Sequence, residues 1–109
     1  MAQYMFQLDY TSDAWKALVQ NPQNRLDAVR PLIESLGGTV LNAWYTFGDY
    51  DVVVMFDLPD NVSAAAFAAI VSAGGAAHRT KTTALMSVED AIAAAEKARG
   101  ASSYRPPSA

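Results

Sequence analysis

The amino-acid sequence predicts a small α+β domain in which a four-stranded antiparallel sheet is covered by helices on one face. Two observations lead to this prediction. Segments that alternate between apolar and polar residues, as β-strands do, are interspersed with segments whose apolar residues recur at helical spacing. Glycine pairs, prolines and helix-capping residues separate these segments. The chain of 109 residues is long enough for one domain with one hydrophobic core.

The first part of the chain predicts one strand followed by two helical segments. Residues 3–9 place an apolar side chain at every second position, which is typical of a strand. Thr11-Ser12-Asp13 supplies capping side chains for a helix that Asn21-Pro22 interrupts. A second helix is predicted from about Gln23 to Leu36, where Gly37-Gly38 ends it. Its buried stripe consists of Leu26, Val29, Ile33 and Leu36.

The second part predicts a hairpin, a helix, another strand and a final helix. The elements are strands at Thr39–Phe47 and Tyr50–Leu58, a helix capped by Asp60-Asn61 that runs to about Ala73, a strand at 77–86, and a helix opened by Ser87-Val88-Glu89-Asp90 that runs to about Arg99. This order, β-α-β-β-α-β plus a C-terminal helix, is the ferredoxin-like split βαβ arrangement. We expect the domain to span residues 1–99 and residues 100–109 to form a disordered Ser- and Pro-rich tail.

The hairpin predicts which side chains share a face of the sheet. With Gly48-Asp49 as a two-residue connection, the face under the helices pairs Phe47 with Tyr50, Tyr45 with Val52, Ala43 with Val54 and Leu41 with Phe56. The opposite face, here called the open face, pairs Thr46 with Asp51, Trp44 with Val53, Asn42 with Met55 and Val40 with Asp57. Contiguous apolar residues on an open face indicate an interface or a ligand groove. We therefore expect a homodimer or larger homo-oligomer in which two sheets pack face to face.

The hairpin residues Gly48-Asp49-Tyr50-Asp51 resemble the signature of the GYD domain family, which is named for its Gly-x-Tyr-Asp sequence. The similarity spans roughly residues 3–95. It also includes Pro22 with Arg25, Leu36-Gly37-Gly38 and Arg79-Thr80-Lys81-Thr82. The resemblance implies a dimeric α/β barrel built from two ferredoxin-like sheets. It implies little about chemistry, because the family is one of uncharacterised function.

Two titratable residues are candidate general bases. On the predicted register Asp51 projects into the cleft between the packed sheets, where removal from water favours proton uptake. The alternative is that Asp51 accepts hydrogen bonds from the hairpin backbone or pairs with Arg79 or Lys81. His78, the only histidine, begins the last strand, and a lone histidine is more often a surface residue than a catalytic one.

Composition excludes several classes of function. Without cysteine there is no disulfide framework and no thiolate metal site. With one histidine, a metal site would have to be built from Asp9, Asp51 and Asp57, which suits only hard cations. We predict neither a metal nor a cofactor. A net charge of −3 with scattered lysines and arginines argues against nucleic acid. No apolar run approaches the roughly 20 residues of a membrane helix, and Met1-Ala2-Gln3-Tyr4 lacks the features of a signal peptide. We expect a cytoplasmic protein.

Three functions remain open on the sequence alone. The favoured prediction is a protein that binds a small organic molecule in the cleft between the two sheets, which would be lined by Asn42, Trp44, Thr46, Asp51, Val53 and Met55. The second is a cofactor-independent monooxygenase- or isomerase-like enzyme that uses Asp51 or His78 as its base, an inference from fold analogy. The third is a self-assembly or interaction module without a ligand.

Overall fold

The computed structural model describes residues 1–101 and 103–108. Its elements are β1 (Ala2–Tyr10), α1 (Ser12–Gln20), α2 (Leu26–Ser35), β2 (Thr39–Tyr45), β3 (Val52–Leu58), α3 (Asn61–Ala73), β4 (Ala77–Leu85) and α4 (Val88–Arg99). The strands form one four-stranded sheet in the order β2-β3-β1-β4, and all neighbouring strands are antiparallel. The predicted ferredoxin-like arrangement with an additional C-terminal helix is confirmed.

Three of the four helices begin at a side chain that the sequence singled out as a cap. The side-chain oxygens of Thr11, Asp60 and Ser87 each accept a hydrogen bond from the backbone N–H three residues further on, at 3.1, 2.9 and 3.0 Å. Helix α2 begins later than predicted, because Asn24 Oδ1 accepts the backbone N–H of Leu26 at 3.0 Å and forms a turn before it. The preceding residues, predicted as helix, are therefore loop.

The core lies between the sheet and the helices and is dominated by aromatic rings. The ring of Phe67, on α3, meets Phe6 and Phe56 edge to face, with centroids 4.9 and 5.0 Å apart. The largest fully buried side chains are Tyr4, Phe6, Phe56, Phe67, Ile33 and Leu58. Helix α2 packs mainly over the edge strand β2 and α3 over the edge strand β4, so the central strands are covered by side chains between the helices.

The pairing of β2 with β3 follows the predicted register only near the loop. Confirmed are the pairs Tyr45 with Val52, Trp44 with Val53, Ala43 with Val54 and Asn42 with Met55. An irregularity at Leu41 then shifts the register, so Val40 lies opposite Phe56 and is buried, whereas Leu41 is 47% exposed. The predicted pairs of Leu41 with Phe56 and of Val40 with Asp57 are wrong, because an extra residue in one strand reverses the alternation of its side chains beyond that point.

The connection between β2 and β3 is also longer than predicted. It comprises residues 46–51, closed by a hydrogen bond from the backbone N–H of Thr46 to the Asp51 carbonyl at 2.8 Å. A tight two-residue hairpin needs positive φ angles, which Gly48 and its neighbours do not adopt. Phe47, predicted to face the core, is instead fully exposed.

Helix α4 stands apart from this core. All of its residues are exposed, and the radius of gyration of 17.7 Å exceeds the roughly 13 Å of a compact domain of this size. The predicted tail has neither helix nor strand at residues 100, 101 and 103–108. Residues 102 and 109 lie outside the described residues, and the disorder of the tail stays a prediction. Within the described residues, no helix is long and apolar enough to cross a membrane.

We predict that Gly38→Ala destabilises the protein by about 1–3 kcal/mol, the usual range for overpacking. A methyl group at Gly38 would lie 1.9 Å from the backbone oxygen of Asp57 and 2.8 Å from Leu58 Cδ2, and the backbone oxygen has no freedom to move aside. Urea unfolding followed by circular dichroism measures the change in free energy. Gly48→Ala is the control, since nothing lies within 4 Å of a side chain there. Equal losses in the two variants would contradict the prediction.

Candidate ligand-binding site

Four of the six residues predicted to line a cleft lie together on the open face. The register places Trp44 opposite Val53 and Asn42 opposite Met55. Met5, on β1, continues this group from its position opposite Met55. Trp44 is 50% exposed, and the side chains of Val53 and Met55 are partly exposed. The remaining two, Thr46 and Asp51, lie in the connection between β2 and β3.

A shallow depression of about 310 Å³ lies at the loop end of the open face. Its lining residues are mostly polar: Gln7, Thr46, Phe47, Gly48, Asp49, Tyr50, Val53 and Lys81. Tyr50 therefore lies toward the open face, and the prediction that it packs in the helix-covered core is wrong. The cause is the longer loop, which removes Tyr50 from the alternating pattern of β3.

Asp51 faces β1 and α1. Its Oδ2 accepts hydrogen bonds from the backbone N–H of Tyr10 at 2.9 Å and from the indole N–H of Trp15 at 3.3 Å. Its own backbone N–H donates to the Leu8 carbonyl at 2.9 Å. These bonds fasten the β2–β3 loop to the end of β1. They support the alternative in which Asp51 accepts a hydrogen bond from the backbone, although the backbone donor belongs to β1 and not to the hairpin.

His78 lies apart from these groups. It is exposed on β4, at the point where the register with β1 shifts between Asp9 and Tyr10. It lines neither the depression on the open face nor the larger cavity described below. Among the described residues, no three His, Asp or Glu side chains are grouped in a way that could hold a metal ion.

Arg79, on β4, fastens the other side of the β2–β3 loop. Its Nε donates to Asp9 Oδ2 and its Nη2 to the Asp49 carbonyl, both at 2.6 Å. Its guanidinium lies 4.9 Å from the centre of the Tyr50 ring, within cation–π range. The hydrogen bond and charge of Asp9 raise the pKa of Arg79, with smaller contributions from Tyr50 and Asp49. Arg79 thus pairs with Asp9 rather than with Asp51, the partner considered from the sequence.

A cavity larger than the depression near Thr46 lies on the other face of the sheet. It has a volume of about 400 Å³ and lies between the sheet and helices α2 and α3; we call it the helix-side cavity. The strands contribute Leu8, Tyr10, Ala43, Tyr45, Val52 and Ala77, and the helices contribute Leu26, Val29, Leu32, Phe67, Ile70 and Val71. Tyr45 and Ile70 are about half exposed, so the cavity opens to solvent beside them.

The cavity forms because side-chain size changes along the sheet. At one end, Tyr4 pairs with Phe56, and these rings fill the space below the helices. At the other end, Leu8 pairs with Val52, and Ala43 and Ala77 on the flanking strands are too small to reach the helices. Sequence reasoning missed this cavity. The one available signal was the small size of the two alanines at core-facing positions.

The mouth of the helix-side cavity carries polar groups. Asn24 and Arg25 approach from the loop before α2, and Tyr10 and Tyr45 approach from the strands. Burial raises the pKa of Tyr10 to about 12, with a further contribution from Tyr45, while Arg25 acts in the opposite direction. The Tyr10 hydroxyl thus lies close to both Tyr45 and Arg25. None of these four residues was singled out as a site residue from the sequence.

We predict that Asp51→Ala lowers the free energy of unfolding by about 1.5–3 kcal/mol, because two donors lose a charged acceptor. Asp51→Asn keeps one acceptor oxygen and should lose less. Asp49→Ala is the matched control in the same loop, since Asp49 is held through its backbone carbonyl, and it should stay within about 0.5 kcal/mol of wild type. Chemical denaturation measures all three variants. Equal effects at positions 49 and 51 would rule out the proposed tie.

Solved structures with a similar fold are distant in sequence. MtbAldR has a TM-score of 0.56 at 15% identity, over 79% of this chain and 53% of that chain. The hypothetical protein PHS023 from Pyrococcus horikoshii has a TM-score of 0.52 at 12% identity, over 80% of this chain and 92% of the other. FFRP-DM1 has a TM-score of 0.50 at 13% identity, over 79% and 100% of the two chains. At such identities the likeness shows the fold alone.

Sequence comparison identifies the family. No curated protein sequence matches this chain significantly. A family model described as the GYD domain matches residues 4–95, which is well over half of the chain. The matched segment contains the Gly48-Asp49-Tyr50-Asp51 loop that Arg79 and the carboxylate of Asp51 fasten to the sheet. The chain therefore belongs to the GYD domain family.

Proposed function

We propose that this protein is a homodimer that binds a small, mainly apolar organic molecule in the helix-side cavity of each subunit. The observation that carries the proposal is the cavity itself. Its volume of about 400 Å³ lies within the usual 300–1,000 Å³ of small-molecule sites. Its wall is largely aliphatic and aromatic, with a few polar groups at one end, which is the usual composition of a ligand pocket.

The open face supports the dimeric part of the proposal. Trp44, Val53, Met55 and Met5 form a contiguous apolar group on the sheet face opposite the one that packs against α2 and α3. Burial of side chains of this size contributes about 1.5–3 kcal/mol each. A second copy that presents the same face would bury the group, as in two sheets packed face to face.

The sequence-based site on the open face remains a separate prediction. Asn42, Trp44, Val53 and Met55 would then contact a ligand between the two sheets. The helix-side cavity is favoured because it is deeper and more apolar than the depression near Thr46.

The two other candidate functions fit this geometry less well. A monooxygenase- or isomerase-like activity with Asp51 or His78 as base finds little support, because neither residue lines the helix-side cavity. A pure assembly module would leave that cavity without a role. Ligand binding accounts for the helix-side cavity, and dimerisation accounts for the open face. Retained substrate turnover in Asp51→Asn and His78→Ala would exclude those two bases for any activity found later.

We predict that Ala43→Phe weakens binding of the neutral dye N-phenyl-1-naphthylamine at least about tenfold. Ala43 lies on the sheet at the floor of the helix-side cavity, where a phenyl ring would occupy the space that the dye needs. Dye fluorescence, which rises in apolar surroundings, measures the dissociation constant. The control is Ala65→Phe, the same change at an exposed position of α3 outside the cavity.

Thermal unfolding of both variants separates a filled cavity from a misfolded protein. Ala43→Phe should retain a cooperative transition. If wild type does not bind the dye, or if Ala65→Phe weakens binding as much as Ala43→Phe does, the helix-side cavity is not the binding site.

We predict that Trp44→Ala and Met55→Lys, as separate variants, each convert the dimer into monomer. Both changes remove apolar area from the open face, and the lysine also places like charges across the interface. Native mass spectrometry reports the oligomer and any retained ligand in one spectrum. Val62→Lys is the control, since Val62 is 78% exposed on α3, away from the open face. A monomeric wild type, or a dimer that survives both open-face changes, would contradict the interface.

A further inference from the structure

Arg25 lies at the mouth of the helix-side cavity with no acidic partner. Its Nη1 donates to Gln23 Oε1 at 3.1 Å, a neutral acceptor. Within residues 1–101 and 103–108, the one salt bridge joins Arg79 to Asp9, and no carboxylate lies within 4.0 Å of the Arg25 guanidinium. Arg25 is only partly exposed, although arginines that leave bulk water usually pair with an anion.

Two further donors face the same end of the cavity. Tyr10 and Tyr45 line the strand side of the mouth, and the charge of Arg25 acts on the Tyr10 hydroxyl, so these groups are neighbours. A tyrosine hydroxyl can donate a hydrogen bond to an oxyanion. The apolar cavity thus ends in one fixed positive charge and phenolic donors.

We propose that the ligand of the helix-side cavity is a compact apolar carboxylic acid, whose carboxylate is bound by Arg25 and whose hydrocarbon body fills the space beneath α2 and α3. This inference rests on the proposed function and adds the chemical class of the ligand. A guanidinium matches the planar geometry of a carboxylate, to which it donates two parallel hydrogen bonds. One arginine balances the single charge of a carboxylate, whereas a phosphate monoester brings a second charge that no other cation of the lining would balance.

The test compares two probes that share one shape. 2-Naphthoate and its uncharged counterpart 2-naphthamide are titrated at pH 7 against protein carrying N-phenyl-1-naphthylamine, and loss of dye fluorescence gives each dissociation constant. Wild type should bind the naphthoate about tenfold or more tightly than the amide, since hydrogen bonds to charged groups are the stronger ones. Arg25→Gln should remove this preference, because the naphthoate loses its charged partner and the amide does not. Arg30→Gln, on the exposed part of α2 outside the cavity, should keep the preference.

The outcomes separate this inference from the proposed function. If both probes displace the dye equally from wild type, the carboxylate inference fails while binding in the cavity stands. If Arg25→Gln keeps the preference for naphthoate, another group binds the carboxylate and the inference also fails. If neither the dye nor the probes bind, the proposed function fails with it.

Discussion

The contact of Phe67 with Phe6 and Phe56 sets the distance between the helical layer and the sheet. Through edge-to-face packing at 4.9 and 5.0 Å, the Phe67 ring ties α3 to the central strands at the aromatic end of the core. Helices and sheets are stiff, so the separation set at that end persists along their length. At the other end the strands present Ala43 and Ala77, which do not fill this separation. The helix-side cavity is thus a consequence of how the aromatic core packs.

The end of the sheet beside the cavity is held by polar ties as well as by packing, which includes the edge-to-face contact of Tyr10 with Trp15 at 5.4 Å. Asp51 binds the Tyr10 backbone and the Trp15 indole, and Arg79 binds Asp9 and the Asp49 carbonyl. The signature residues of the β2–β3 loop therefore attach that loop to β1, α1 and β4. In such an arrangement the signature has a structural role. These ties lie next to the helix-side cavity, since Tyr10 and Val52 both line its wall.

Local patterns in the sequence were sufficient for the elements and their order. Period-two alternation, helical spacing and the caps at Thr11, Asp60 and Ser87 depend on neighbouring residues, and these features were correctly predicted. The irregularity at Leu41 has no local signal, since Val40 and Leu41 are both aliphatic and either suits the core. Tertiary packing beside Phe56 places Val40 rather than Leu41 in the core. The prediction therefore assigned these two residues to the wrong faces of β2.

The candidate site was harder to predict for a related reason. A cavity is a volume that side chains fail to fill, and its presence depends on distances between elements remote in sequence. The open-face group of Trp44, Val53 and Met55 was predictable because it follows from strand alternation and the pairing nearest the loop. Arg25 drew attention only as part of a family resemblance. Its significance arises from the absence of a carboxylate within 4.0 Å among the described residues, which a sequence does not display.

Strand β2 contributes residues to both faces of the sheet. Ala43 and Tyr45 line the helix-side cavity, and Trp44 between them belongs to the open-face group and also contributes to the cavity wall. If two copies associate through the open face, they restrain Trp44 and with it one side of the cavity. Linkage then requires that a ligand which binds the dimer more tightly than the monomer also strengthens the dimer by the same free energy.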